Sequence, residues 1–155
     1  MRLYIVRHGE AVDSHVDPGR PLSAAGRDEA QRIGGFLLRN AVKVESVWHS
    51  SKARARETAG ILHSSGVLGG EVIEQRGLLP EDHPEECLAA IDACAGDLCI
   101  VGHLPHVAYL ASALLTGQPS APFIAFETCS ALCLERNGPG RWHLRWMISP
   151  SQLRG

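Results

Sequence analysis

Short apolar segments alternate with amphipathic helical patterns along most of this chain, and this alternation constrains the fold more than any other feature. The apolar segments cover residues 3–6, 44–48, 71–74 and 97–101. After each of them, apolar residues recur at the three- and four-residue spacing of a helix with one buried face. Because parallel strands need a crossover connection, which a helix usually supplies, the pattern predicts a mostly parallel sheet.

The C-terminal part of the chain follows a different pattern. Residues 130–136 and 141–148 have strand-like sequences that flank Asn137-Gly138-Pro139-Gly140, which is typical of a turn in a hairpin. The whole pattern predicts an α/β fold, a three-layer sandwich with a mostly parallel central sheet, an antiparallel edge strand and helices on both faces. We expect residues 1–155 to form a single domain, since no linker, repeat or low-complexity segment interrupts them.

Charge and cysteine content exclude several classes of function. The formal net charge is −2 and there is no run of basic residues, so we expect neither nucleic acid nor a membrane as a partner. The five cysteines include no C-x-x-C pair, which predicts reduced thiols and no metal site. No secretory segment is recognisable, so we expect a cytoplasmic location.

Three of the predicted parallel strands end at arginines or histidines. Arg7 and His8 follow the first strand, and His103 follows the fourth. Arg54 lies in the first turn of the helix after the second strand. Because the carboxyl ends of parallel strands meet at one edge of the sheet, we expect these four side chains to share a crevice. Paired guanidinium donors and a helix N-terminus match phosphate oxygens, so the crevice is predicted to bind phosphate.

A histidine in such a crevice can serve as a nucleophile. A neutral imidazole can attack phosphorus and carry the phosphoryl group covalently, while a second histidine and two arginines neutralise the charge of the transferring group. Each of the four residues has an ordinary structural explanation when taken singly, and their joint placement favours the chemistry. Arg56 cannot share the helix face of Arg54, and we expect it to be solvated.

Three segments of the chain resemble the signature motifs of the histidine phosphatase superfamily, which also includes the phosphoglycerate mutases. The segments are Arg7-His8-Gly9-Glu10-Ala11, Ser50-Ser51-Lys52-Ala53-Arg54-Ala55-Arg56-Glu57-Thr58-Ala59 and Val101-Gly102-His103-Leu104-Pro105. Within the superfamily the chain most resembles the SixA-like phosphohistidine phosphatases. That narrower resemblance rests on the short length, on Arg20-Pro21-Leu22-Ser23 with Gly26, on His103-Leu104-Pro105, and on the ending Met147-Ile148-Ser149-Pro150.

The resemblance implies the fold of that superfamily and a role for each matched residue. His8 would be the phosphorylated nucleophile, and Arg7, Arg54 and His103 would form the phosphate pocket. Arg20 would be a further substrate contact. The resemblance implies catalysis without a cofactor or metal, with phosphate as the product.

The chain departs from the family pattern in two places. Ser50-Ser51 stands where the family usually has Ser-Pro. The missing proline loosens the turn, but Arg54 of the motif is retained. Relatives that act on alkyl phosphates carry a carboxylic acid after the third strand, and here Glu81 and Asp82 are the candidates for a general acid. A phosphohistidine releases imidazole, whose conjugate acid has a pKa of about 6.5, so its cleavage does not require a strong proton donor.

These observations favour a cofactor-independent phosphatase that acts through phosphorylated His8 on phosphohistidine in a protein. The first alternative is a small-molecule phosphomonoesterase of the same superfamily that uses Glu81 or Asp82 as the acid. A phosphate-binding module without catalytic activity is the second alternative. The partner is accordingly a phosphorylated protein or a small phosphate ester.

Overall fold

The computed structural model describes residues 1–65, 69–118 and 120–153. Its strands are β1 (Arg2–Arg7), β2 (Ser46–His49), β3 (Glu71–Glu74), β4 (Leu98–Gly102), β5 (Ala131–Glu135) and β6 (His143–Ile148). Its helices are α1 (Ala24–Arg39), α2 (Ala53–Ser64), α3 (Pro84–Asp92) and α4 (His106–Thr116), and a 3-10 turn covers Pro150–Gln152.

The six strands form one sheet in the order β3-β2-β4-β1-β5-β6. The first four strands in this order pair in parallel, whereas β5 pairs antiparallel with both β1 and β6. The alternation of strands and helices therefore gave the correct α/β class, and the antiparallel pairing lies at one edge, as the hairpin pattern predicted. The central strand β4 is buried along its whole length, which explains its continuous apolar sequence.

Side chains of the sheet alternate between two apolar clusters, one on each face. Tyr4 and Val6 of β1 pack with α1 and α2 on one side, where Ile33 and Leu62 lie. The neighbouring residues Leu3 and Ile5 face the opposite cluster, which α3 and α4 cover. This period of two in β1, with a helical layer on each side, confirms the three-layer sandwich.

Four of the five cysteines are buried in this interior, and all five are unpaired thiols. Burial raises the pKa of Cys87 and of Cys99 to about 12, so both stay protonated and behave as small apolar residues. Within the described ranges, no group of three or more His, Cys, Asp or Glu side chains is arranged to hold a metal ion. None of the described helices is both long and apolar enough to cross a membrane.

Candidate active site

The carboxyl ends of β1 and β4 bring two histidines into contact. Arg7 of β1 lies opposite Gly102 of β4 in the sheet, and the backbone N–H of His8 donates to Gly102 O at 2.9 Å. The imidazoles of His8 and His103, which follow these strand ends, lie with ring centroids 4.9 Å apart at an angle of 55°. Both side chains are buried.

The contacts of His8 define which ring nitrogen carries a proton. Nδ1 lies 2.7 Å from Gly9 O, and because a carbonyl oxygen only accepts, Nδ1 must be the protonated nitrogen. Nε2 then keeps its lone pair. Burial, followed by the charges of Arg54 and Arg7, lowers the pKa of His8 to about 4, so the ring is neutral near pH 7 and Nε2 is available as a nucleophile.

The ring of His103 contacts Ser50. Ser50 Oγ accepts a hydrogen bond from the Lys52 N–H at 3.2 Å and lies 2.6 Å from His103 Nε2. A hydroxyl has one proton and two lone pairs, so Ser50 donates to Nε2 when the ring proton is on Nδ1 and accepts from Nε2 when the proton is there. Nδ1 is buried and has no hydrogen-bond partner among the described residues. Burial and the nearby His8 lower the pKa of His103 to about 3, so the ring is neutral near pH 7.

Two guanidinium groups lie beside the histidines. Arg7 donates from Nη1 to Phe126 O at 2.8 Å, and this carbonyl orients its side chain. The Nε atoms of Arg7 and Arg54 are buried without a partner in the described part of the chain, although buried N–H donors are nearly always paired in proteins. Burial is the main cause that lowers the pKa of both arginines. An anion that accepts from both groups would supply the missing hydrogen bonds.

Thr58 ties the loop after β1 to the helix that carries Arg54. Its Oγ1 donates to Arg54 O at 2.7 Å and accepts from the Gly9 N–H at 3.1 Å. The side chain is fully buried. One hydroxyl therefore fixes the relative position of the two segments that provide Arg7-His8 and Arg54.

Arg20 lies near this cluster, on the long loop between β1 and α1. Its Nε donates to Val12 O at 3.2 Å, and its backbone has a φ of +45°. Its charge contributes to lowering the pKa of both His8 and Arg54, after the larger effect of burial. The structure thus brings a third positive charge toward the two histidines.

Glu81 and Asp82 lie in the loop between β3 and α3, and not at the strand ends that carry the two histidines. Asp82 accepts from the Leu79 N–H at 2.8 Å and so stabilises its own loop, while Glu81 is exposed. Both carboxylates line a surface cavity of about 220 Å³ that also contains Pro105. Within the described ranges, neither makes a hydrogen bond to Arg7, His8, Arg54 or His103.

Sequence reasoning missed the residues that orient the four predicted ones. Ser50 and Thr58 lie in the segment that carries Arg54 and resembles a family motif, so their place in that segment was the available signal. The contact of Arg7 with Phe126 could not be predicted, because the acceptor is a backbone carbonyl, which every residue type has. Arg56 is exposed, as predicted.

Comparisons with known proteins agree with this geometry. Residues 3–79 match the model of the histidine phosphatase superfamily, branch 1. The structure of the protein histidine phosphatase SixA complexed with tungstate is 27% identical and has a TM-score of 0.85, with 99% of this chain and 100% of that chain covered. A SixA structure from Agrobacterium tumefaciens shares the fold at 23% identity and a TM-score of 0.79, covering 96% of this chain and 97% of that one.

An uncharacterized protein from Picosynechococcus is 32% identical over 125 residues, which cover 76% of this chain and 75% of that protein. The family model spans the first two motif segments, and the full-length structural match to SixA agrees with the resemblance inferred from the sequence. The chain belongs to the histidine phosphatase superfamily, branch 1, and is SixA-like.

Proposed function

We propose that this phosphatase hydrolyses phosphohistidine in a protein through a covalent intermediate on His8. Nε2 of His8 attacks phosphorus, and the substrate imidazole leaves with the electron pair of the broken P–N bond and takes up a proton. Water then attacks phosphorylated His8, which releases phosphate and restores the lone pair on Nε2. Arg7, Arg54 and the Nδ1–H of His103 bind the phosphoryl oxygens in both steps.

The observation that carries the proposal is the protonation of His8 beside a second neutral histidine. His8 presents a lone pair on Nε2 because its Nδ1–H is bonded to Gly9 O. In the proposed reaction Ser50 donates to Nε2 of His103, so the Nδ1–H of His103 is the donor to the phosphoryl group. A nucleophile and an oxyanion donor thus lie side by side, with the unpaired N–H groups of Arg7 and Arg54 next to them. The SixA relative solved with tungstate, a tetrahedral oxyanion, supports an oxyanion site of this kind.

The choice of phosphohistidine as substrate rests on the leaving group. Asp82 is held by the Leu79 N–H of its own loop and Glu81 is exposed, so the described residues do not fix either carboxylate as a proton donor for an alkoxide. Imidazole leaves without a strong acid, since its conjugate acid has a pKa of about 6.5. We assign Arg20 as a further contact for the phosphoryl group or for the protein that carries it.

The test compares two substrates without added metal: a protein carrying phosphohistidine and a simple alkyl or aryl phosphate. The wild type, His8→Ala and the double variant Glu81→Ala/Asp82→Ala are assayed, with Glu71→Ala as a control because Glu71 is an exposed carboxylate at the start of β3. We expect phosphohistidine cleavage to need His8 and to tolerate the loss of both carboxylates.

The opposite result would support the small-molecule alternative. A preference for the alkyl ester that disappears in Glu81→Ala/Asp82→Ala, and not in Glu71→Ala, would identify a phosphomonoesterase with a carboxylic acid donor. Binding of phosphate with no turnover of either substrate would leave only the phosphate-binding module.

A further inference from the structure

An open groove runs between α3 and α4, and no step of the proposed reaction uses it. It consists of two adjoining surface cavities of about 220 and 270 Å³. The two cavities adjoin at His83, Pro84 and Tyr109, which line both, and together we call them the α3–α4 groove. Tyr109 is 43% exposed.

The groove begins next to the candidate active site. Pro105, which lines its first cavity, is two residues after His103. From His106 the groove follows one face of α4 past Tyr109 to Ala113. Seven residues of helix span about 10 Å, which corresponds to about three residues of extended polypeptide.

Apolar surface lines the far cavity of the groove. Leu88 and Ala113 provide it, beside the partly exposed ring of Tyr109. An extended polypeptide segment carries apolar side chains that can pack on this surface.

The charge along the groove is opposite to the charge of the phosphate pocket. Glu81, Asp82 and Glu85 line the groove, and no Lys or Arg is among the described residues that do so. Glu85 is highly exposed and has only a long contact of 3.9 Å with His83. The pocket beyond Pro105 holds the positive charges of the arginines. A small phosphate ester gains nothing from this acidic rim, whereas a cationic side chain a few residues from the phosphoryl group is attracted to it.

We propose that the α3–α4 groove binds the polypeptide segment that flanks the phosphohistidine, with a Lys or Arg of that segment facing Glu85. An apolar side chain of the same segment packs over Tyr109. This inference rests on the proposed function and extends it, because it locates the surface that distinguishes a protein substrate from a small phosphate ester.

The experiment uses synthetic peptides that carry one phosphohistidine and differ only in their flanking residues. One peptide has Lys two to four positions before the phosphohistidine, one has Lys at the same positions after it, and one has Gln at both. We expect kcat/KM to be higher for one of the Lys peptides, by about two- to fivefold for each ion pair formed at the exposed rim. The difference should shrink at high salt.

Two variants test whether the groove causes this preference. Glu85→Lys should remove the preference for the Lys peptide, and Tyr109→Ala should lower kcat/KM for all three peptides. Both variants should hydrolyse phenyl phosphate at the wild-type rate, since neither residue belongs to the phosphate pocket. Glu71→Lys is the matched control, because it makes the same charge change at an exposed position on β3 and should keep the preference.

Equal kcat/KM for the three peptides in the wild type, or an unchanged preference in Glu85→Lys, would overturn the groove proposal and leave the proposed function standing. Hydrolysis of phenyl phosphate without hydrolysis of any peptide would overturn both. A fall in sedimentation mass caused by Tyr109→Ala would instead identify the groove as a contact between two copies of the chain, which also contradicts the proposal.

Discussion

At the scale of single residues, the site depends on where two protons lie. Gly9 O holds a proton on Nδ1 of His8, and in the proposed reaction Ser50 directs the proton of His103 to its own Nδ1. In this proposed arrangement the same ring nitrogen is protonated in both histidines, but Nδ1 is bonded to a carbonyl in His8, whereas in His103 it is buried without a partner among the described residues. One ring becomes a nucleophile and the other becomes a donor.

Replacing Ser50 tests this assignment. In Ser50→Ala, Nε2 of His103 loses its donor, so the ring proton should redistribute between the two nitrogens, and kcat should fall roughly three- to tenfold with a smaller change in KM. Nitrogen NMR of the imidazoles measures the tautomer directly. Ser50→Thr should restore it, because the hydroxyl is retained.

Ser51→Ala is the control for this experiment, since Ser51 is the exposed neighbour. An unchanged nitrogen spectrum in Ser50→Ala, or the same spectral change in Ser51→Ala, would show that Ser50 does not set the tautomer of His103.

The four pocket residues could be predicted from the sequence because each lies at the end of a predictable parallel strand or in the first turn of the helix that follows one. Their roles stay predictions. Ser50 and Phe126 show the limit of the method. The contact of Ser50 with His103 spans 53 positions, and the carbonyl of Phe126 reaches Arg7 across 119 positions, so neither follows from local spacing.

At the scale of elements, the loop after β1 is packed tightly against the start of α1. A Cβ added at Gly9 would lie 2.7 Å from Gly26 O, and a Cβ added at Gly26 would overlap the carbonyl of Glu10. Ser23 caps the helix at the same place, where its Oγ accepts from the Gly26 N–H at 3.1 Å. Gly9 and Gly26 therefore allow the two backbone segments to come this close. The contact fixes the position of Gly9, the residue after His8.

Gly26→Ala should consequently destabilise the protein. The new methyl group has to displace backbone, so we expect a loss of roughly 1–3 kcal/mol in the free energy of unfolding, measured by urea denaturation, and a lower kcat. Gly60→Ala is the matched control inside α2, where an added Cβ meets nothing within 4 Å. It should stabilise the protein slightly, because alanine favours helix. Equal stability of the two variants would contradict the packing argument.

The element types could be predicted more reliably than their ends. The helical spacing of Leu88, Ile91 and Ala95 predicts a buried face that continues to Ala95, yet the helix ends at Asp92. The chain turns there, and a Cβ at Gly96 would overlap the carboxylate of Glu45, which precedes β2. That contact joins segments about fifty positions apart, so the local pattern of residues 84–95 could not reveal where the helix ends.

At the scale of the whole molecule, the two neutral histidines affect stability in acid. The pKa values of His8 and His103, about 4 and about 3, lie below the value of about 6.5 in an unfolded chain. Between pH 6.5 and 4 the unfolded state therefore binds more protons, and the free energy of unfolding should fall as the pH falls.

We expect the wild type to lose roughly 1 kcal/mol per histidine between pH 7.5 and 5.5. The double variant His8→Gln/His103→Gln should lose less over the same interval, as measured by urea denaturation at both pH values. His143→Gln, which replaces an exposed histidine on β6, should behave like the wild type. A double variant as acid-sensitive as the wild type would show that these two rings are not held neutral.

The alternation of segments predicted the layered α/β architecture, but it could not predict the strand order β3-β2-β4-β1-β5-β6. That order depends on which strands pair across the sheet, and the sequences of β1 and β4 do not specify it locally. The net charge of −2 did not predict the site either, because it is a sum over the whole chain. That sum includes both the positively charged phosphate pocket and the acidic groove beside it.

The central claim is that His8 carries the phosphoryl group, and rapid-quench labelling tests it most directly. A substrate with a labelled phosphoryl group is mixed with the enzyme, quenched in alkali and mapped by peptide. The account predicts label on His8 of the wild type during turnover, and neither label nor turnover in His8→Ala. Turnover by the wild type without label on His8, or sustained hydrolysis by His8→Ala, would contradict it.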